Sequence, residues 1–427
     1  MTNLAIVTAT RAEYGLLEPL IKELRKNESD TFKVELIVTG THLSDKFGHT
    51  IDEIILDRIR IDYKIDIPVD SETPHDISND QAVTLVKFTD FFSEHKYDAV
   101  VILGDRYEML AVAIAAGNTH TPVFHLYGGD TTEGAVDEWI RHSITKMAYL
   151  HFTSNEVSRQ RVIQLGENPA RVFNYGSTGI DNCLHRATMK KIEALKSIGL
   201  PDCRYALCTY HPVTLEGGGI VQVIKDFIES IKESPELQFI VTKSNSDLGG
   251  EKINGLLDEA KKKVSNLQIY SSLGVERYLS LMKSAEFVMG NSSSGLYEAP
   301  AFRIPTINIG DRQKGRLRSE SVIDCATDKE SILRAINLAQ TDEFKRKCEN
   351  TRSLYGDGHA AEKIAGKIIE VLKRGKIDLK KKFYDKFLDE FTPDRVQQVK
   401  DNMPELFKTI DNMDKSHFYK RKVEIDK

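Results

Sequence analysis

Acidic and basic side chains gather at a few points of the chain, each just after a short apolar run. The segment "GDRYE" follows residues 99–103 and delivers Asp105 and Arg106, a carboxylate suited to face a sugar and a guanidinium suited to face phosphate. Next comes "HLYGGDTTEGAVDEWIRHSITK", which packs His125, Tyr127, Asp130, Glu133, Asp137, Glu138, Arg141 and His142 into one stretch. Its paired glycines let the backbone turn closely beneath a ligand. On a following helix Asp137 or Glu138 lies about one turn before Arg141 or His142, so some of these groups share a face. Carboxylates at this density suit proton transfer.

A second set of residues points to an anion. "MGNSSSGLYEAP" follows an apolar run and opens a helix, so that Asn291, Ser292, Ser293, Ser294 and Gly295 present hydroxyls and backbone N–H groups at a helix N-terminus. It lacks the lysine of a P-loop and the GxGxxG of a dinucleotide fold, and a nucleoside diphosphate handled without hydrolysis at its phosphates fits it better than ATP. Glu298, one turn further on, is placed to hold ribose hydroxyls; "NIGDRQKGR" adds Arg312, Lys314 and Arg316. Arg11 and Glu13 in "TATRAEYG" stand at another helix start, and "YHPVT" brings His211 to a strand end.

These positions require strands to end beside one another. Short apolar runs at residues 4–8, 34–39, 99–103, 123–126 and 150–153 alternate with longer amphipathic stretches, and the rhythm restarts at 205–209, 239–242, 267–270, 287–289 and 306–309. This predicts two Rossmann-like, doubly wound α/β domains: residues 1–177, carrying the carboxylates, and residues 178–372, carrying the anion cradle. They face each other across a cleft, with ligands beyond the carboxyl ends of the strands. Residues 373–427 turn Lys-rich, and Phe383, Phe387 and Phe391 at i, i+4, i+8 predict a charged helical extension with one apolar face.

Composition narrows the class. Among 427 residues, 59 basic against 64 acidic side chains give a net charge of -5, which offers no general attraction for nucleic acid. No apolar run approaches a membrane span, and the apolar start has no basic leader or cleavage site, so the expected location is the cytoplasm. Five scattered cysteines without CxxC spacing predict reduced thiols and no metal site.

At these motifs the sequence resembles the hydrolysing UDP-N-acetylglucosamine 2-epimerases of the bacterial sialic-acid pathway and the epimerase half of their bifunctional animal counterpart. "TATRAEYG", "VTGTHLSDKFGHTIDEI", "YDAVVILGDRYEMLAVAIAA", "IRHSITKM", "RVIQLGENPARVFNYGS", "GNSSSGLYE" and "TINIGDRQKGR" carry the likeness over roughly residues 3–370. The resemblance implies a glycosyltransferase-B-like fold, a UDP-amino sugar as substrate, no cofactor, and a homodimer or dimer of dimers. It places Arg11, His211, Ser292, Ser293, Glu298 and Arg312 at nucleotide-binding positions, with Ser294 and Gly295 in the same cradle. It places Asp105, Asp137 and Arg141 in the active site, with His42 as a further substrate contact.

Family members commonly carry Glu or His where this chain has Tyr127, and Glu where it has Asp130. The expected chemistry is loss of UDP with removal of the C2 proton, then addition of water with C2 inverted. Asp105 and Asp137 are the expected proton carriers and Asp130 the third, with Arg11, Arg106 and Arg312 on the diphosphate. Three rivals stand beside it: the same reaction on a UDP-2,4-diacetamido-trideoxyhexose, an acceptor-dependent glycosyltransferase, and a non-catalytic UDP-sugar sensor.

Overall fold

The computed structural model describes residues 1–45, 48–69, 73–131, 137–212, 219–244, 250–314, 316–385 and 401. Among the described residues the strands run β1 (Thr2–Thr8), β2 (Phe32–Thr39), β3 (Tyr63–Ile65), β4 (Ala99–Leu103), β5 (Val123–Leu126), β6 (Leu150–Thr153), β7 (Val172–Asn174), β8 (Tyr205–Thr209), β9 (Gln238–Thr242), β10 (Leu267–Tyr270), β11 (Val288–Gly290), β12 (Thr306–Ile309) and β13 (Val322–Cys325), with helices between them. They form two sheets, ordered β3-β2-β1-β4-β5-β6-β7 and β10-β9-β8-β11-β12-β13. The registered pairs within them are parallel. Every residue of β4, β5, β6, β8 and β12 is buried, as expected of parallel strands covered by helices on both faces.

The chain divides into two compact units, residues 1–66 with 175–375, and residues 67–174 with the described residues from Lys376 onward. This cut differs from a boundary after residue 177. The helix Arg11–Arg25 packs against the helices Thr178–Arg186 and Ala360–Lys373, which ties the first strands to the second sheet. The Asn182 amide donates to the Gly15 carbonyl at 2.5 Å and the Thr178 hydroxyl to the Leu16 carbonyl at 2.6 Å, closing that contact.

In the first unit β8 to β13 make a complete doubly wound sheet. β9 and β10 lie to one side of β8, and β11, β12 and β13 to the other. Phe227, Phe239, Phe287, Ile307 and Ile336 fill one of its faces. The strand order reverses between β8 and β11, so the loops leaving those two strands diverge and open a crevice. Gly290 permits the close approach. Its φ is 139°, and a Cβ there would penetrate the carbonyl oxygen of Thr209 on β8. Gly290→Ala is expected to destabilise the chain by about 2–4 kcal/mol, through backbone strain plus overpacking, read as a lowered urea midpoint at unchanged m-value.

The first residues of the C-terminal stretch, 376–385, are not helical. The helix Ala360–Lys373 ends at Arg374, and Gly375 follows with φ 98°, the left-handed stop common at helix C-termini. Residues 376–385 run on without helix. Lys381 anchors them, donating to the Lys146 carbonyl at 2.9 Å and the Ala148 carbonyl at 2.6 Å and pairing with Glu167 at 2.6 Å. Phe383 lies under the Lys146 ammonium at 4.9 Å instead of starting an apolar helix face. Phe387 and Phe391, and the rest of that expected face, lie outside the described residues. No helix among the described residues is long and apolar enough to cross a membrane.

Candidate functional site

In the second unit β4 and β5 end side by side, and the residues that follow them carry the acidic cluster. His125, on β5, is fully buried. Its Nε2 donates to the Gly104 carbonyl at 2.8 Å, leaving Nδ1 facing the Thr145 hydroxyl at 3.3 Å. Burial pushes this imidazole down to about 3, so it is a neutral prop for the turn after β4. Tyr127 then adopts φ 64°, unusual for a bulky residue, and Gly129 φ 84°, where a Cβ would strike the Ser158 carbonyl. The chain therefore bends tightly between β5 and the acidic residues.

Arg141, on the helix Asp137–Met147, ties the cluster together. Its guanidinium pairs with the Asp105 carboxylate, donates to the Asp130 carbonyl at 2.8 Å and lies 3.5 Å from the Glu138 carboxylate. Glu138 in turn holds His142 at 3.1 Å. Partial burial raises the Asp105 pKa; Arg141 opposes this, and the charges of Asp137 and Asp130 add to the rise. A carboxyl held above its ordinary range beside a second acidic group suits proton transfer near neutrality.

Two of the expected site residues are engaged within the chain. The Asp130 carboxylate accepts from the Asn155 amide at 3.2 Å, the Ser154 hydroxyl at 3.4 Å and the Ser158 hydroxyl, at the start of the helix Glu156–Gln164. Three donors thus engage the side chain expected as the third proton carrier. Arg106 donates through Nε to the buried carboxylate of Glu108 at 2.7 Å, so part of the guanidinium expected on phosphate is committed within its own helix start.

In the first unit the crevice between β8 and β11 carries His211 and the serine run. Asn291, fully buried, accepts the His211 N–H at 2.7 Å and donates to the His211 carbonyl at 2.8 Å, locking the two loops together. The His211 ring faces the Ser244 hydroxyl at 3.4 Å. The helix Ser294–Ala301 begins here, with Ser293 at its N-cap; the Ser294 hydroxyl bonds Tyr278 at 2.7 Å and Ser292 at 3.2 Å. Gly295 lets this helix sit on β12, where the Thr306 hydroxyl donates to its carbonyl at 2.7 Å. Arg312 donates to the Asn291 carbonyl at 3.2 Å.

Glu298 is desolvated, which pushes its carboxyl up to about 7, and its Oε2 is buried without a hydrogen-bond partner. Such an orphaned oxygen fits a hydroxyl donor from a ligand. A carboxyl pKa raised in the folded state means that the folded chain holds the proton longer. Stability is therefore greatest below the unfolded pKa and falls as pH rises through about 7. Glu298→Gln is expected to raise the melting temperature at pH 8 and leave it nearly unchanged at pH 5; equal shifts at both would contradict the raised pKa.

The other expected contacts lie differently. Glu13 forms a capping box with Thr10, accepting the Thr10 N–H at 3.1 Å and the Ala9 N–H at 2.9 Å. Arg11, exposed, pairs with Glu53 at 2.8 Å. His42 is fully buried with both ring nitrogens engaged, by Thr8 at 3.1 Å and Thr50 at 2.9 Å, and burial lowers its pKa to about 4. In the structure this expected substrate contact links Thr8 of β1 to Thr50. Gln313, Tyr278, Ser154, Asn155 and Ser158 complete the two groups without having been singled out by sequence.

A family model described as UDP-N-acetylglucosamine 2-epimerase matches residues 22–369. The chain belongs to that family. It is 39% identical over 386 residues to the polysialic acid biosynthesis protein P7 of Escherichia coli, covering 90% of this chain and 98% of the relative. It is 40% identical over 346 residues to the GDP/UDP-N,N'-diacetylbacillosamine 2-epimerase (hydrolyzing) of Campylobacter jejuni, covering 81% and 89%. Among solved structures, the UDP-GlcNAc 2-epimerase of Neisseria meningitidis bound to UDP-GlcNAc superposes with a TM-score of 0.72 at 20% identity, over 87% of this chain and 100% of that one. That likeness shows the fold: two parallel-sheet α/β domains of the glycosyltransferase-B-like type.

Proposed function

We propose that the protein is a hydrolysing 2-epimerase that converts UDP-N-acetylglucosamine to UDP and N-acetylmannosamine. The observation that carries this reading is the Asp105–Arg141 pair with Asp137 and Glu138 beside it, a partly buried acidic group with one carboxyl pKa raised. The C2 proton of the sugar has no carbonyl next to it, so cleavage of the C1–O bond leads and leaves oxocarbenium character that a carboxylate stabilises. The bonding pair of C1–O departs with UDP, and one carboxylate takes the C2 proton, giving 2-acetamidoglucal. Water then adds its hydroxyl at C1 as a second carboxylic acid gives its proton to the opposite face of C2; the carboxylate so formed takes the remaining proton of the water, and the first carboxyl releases its proton to solvent. Asp105 and Asp137 are the two carriers, and Arg141 keeps Asp105 ionised and aimed.

The serine-rich helix start, with Arg312, binds the diphosphate and stabilises its departing charge; Glu298 accepts from the ribose hydroxyls. A second reading, the same reaction on a UDP-2,4-diacetamido-trideoxyhexose, is favoured by the names of two relatives: the Campylobacter jejuni protein, and a UDP-N,N'-diacetylbacillosamine 2-epimerase (hydrolyzing) of Legionella pneumophila at 35% identity. UDP release from each sugar nucleotide, without acceptor, separates the two. A higher kcat/KM on UDP-N-acetylglucosamine supports the first; a preference for the diacetamido sugar replaces it with the second.

A further inference from the structure

Gln313 is a buried amide that no step above uses, yet it touches the residue that opens the anion cradle. It is 1% exposed, and its Nε2 donates to the Asn291 carbonyl at 2.7 Å. Arg312 Nη1 donates to the same oxygen at 3.2 Å. The Gln313 amide is itself held in that orientation, because its Oε1 accepts from Arg316 Nη1 at 2.8 Å. Arg316 lies over the Tyr297 ring at 5.7 Å, and Tyr297 stacks on Tyr355 at 4.0 Å. The amide is thus oriented with its Oε1 toward Arg316 and its Nε2 toward the Asn291 carbonyl.

A carbonyl with two donors cannot rotate, and in a trans peptide the N–H of the next residue points the opposite way. The next residue is Ser292. Its N–H and that of Ser293 donate to nothing among the described residues. They belong to the unsatisfied donors at the start of the helix Ser294–Ala301, where an anion is stabilised.

We propose that Gln313 is a positioning residue for the diphosphate: by pinning the Asn291–Ser292 peptide plane it aims the Ser292 N–H at the phosphate oxygens. This rests on the reading of the serine run as a UDP site. The expected signature is selective. Loss of the Gln313 donor weakens binding through phosphate and spares binding through the nucleoside.

The test is titration of the full chain with UDP and, separately, with uridine, for wild type, Gln313→Met and Arg316→Met. Methionine keeps the length of glutamine and removes both polar atoms, while Arg316→Met frees the amide without deleting its donor. Gln313→Met is expected to weaken UDP binding about 10-fold and to leave uridine binding within about 2-fold, with Arg316→Met shifting UDP in the same direction by about 3-fold, as one to two hydrogen bonds to an anion suggest. Unchanged UDP affinity in Gln313→Met, with wild type binding UDP, would overturn the positioning role and leave the UDP site standing. Equal losses for UDP and uridine would reduce Gln313 to a structural role. No UDP binding by wild type would overturn both the inference and the reading beneath it. If Gln313→Met does not fold, the Arg316→Met titration decides between the same outcomes.

Discussion

Asp105→Asn is expected to lower kcat on the sugar nucleotide by about 10²–10⁴-fold, the usual contribution of one general acid–base group. The substitution keeps the size of the side chain and an oxygen for Arg141, and it removes the charge and the site that binds the proton. Glu138 and the Asp130 carbonyl still face Arg141 in this variant, so the fold is expected to survive with a stability loss smaller than that of removing Arg141. Substrate KM should move less than kcat, because the carboxylate acts mainly as C1–O cleavage develops. Asp137→Asn is expected to act likewise. Near-normal turnover by both variants would remove these two residues from the proton-transfer role.

Arg141→Met removes more than activity. The guanidinium is 7% exposed and serves Asp105, Glu138 and the Asp130 carbonyl. Breaking a buried pair from one side costs about 3–5 kcal/mol; with Asp105 24% and Glu138 30% exposed, water recovers part of this, and about 2–4 kcal/mol is expected in urea unfolding. The pH dependence carries the sign of the effect. Burial raises the Asp105 pKa and Arg141 lowers it, so deleting Arg141 raises it further. A base that must be ionised then becomes active only at higher pH, and the acidic limb of the kcat profile should move upward in Arg141→Met. A limb that stays in place would mean that Asp105 does not set it.

Where the sequence could be read, physics explains why. β4, β5, β6, β8 and β12 lie where the apolar runs predicted them, because a strand with helices on both faces must be apolar at nearly every position. β3, β7 and β13 stand at sheet ends and give no such run: Tyr63–Ile65 has no buried residue and Val172–Asn174 has one. β11 extends one residue further than its apolar run, because Gly290 stays in register with Thr209 and Asn308 through a backbone conformation reserved for glycine.

The density of charge after β5 pointed to Arg141 and its carboxylates, but it did not distinguish a carboxylate free to act from one already held. Asp130 is held by residues 24 to 28 positions away, a contact that no local pattern encodes. Glu13 was legible in principle, since Thr10 and Glu13 have the spacing of a capping box. Gln313 was not, because a lone amide after a strand has no periodicity or charge to mark it.

The central claim is that C1–O cleavage and exchange at C2 occur in one active site. Proton NMR of the full chain with UDP-N-acetylglucosamine in deuterated water, with no acceptor and no added metal, tests it most directly. The expected result is free UDP together with N-acetylmannosamine carrying deuterium at C2. UDP-N-acetylmannosamine that retains its nucleotide, or released sugar still protonated at C2, would contradict it.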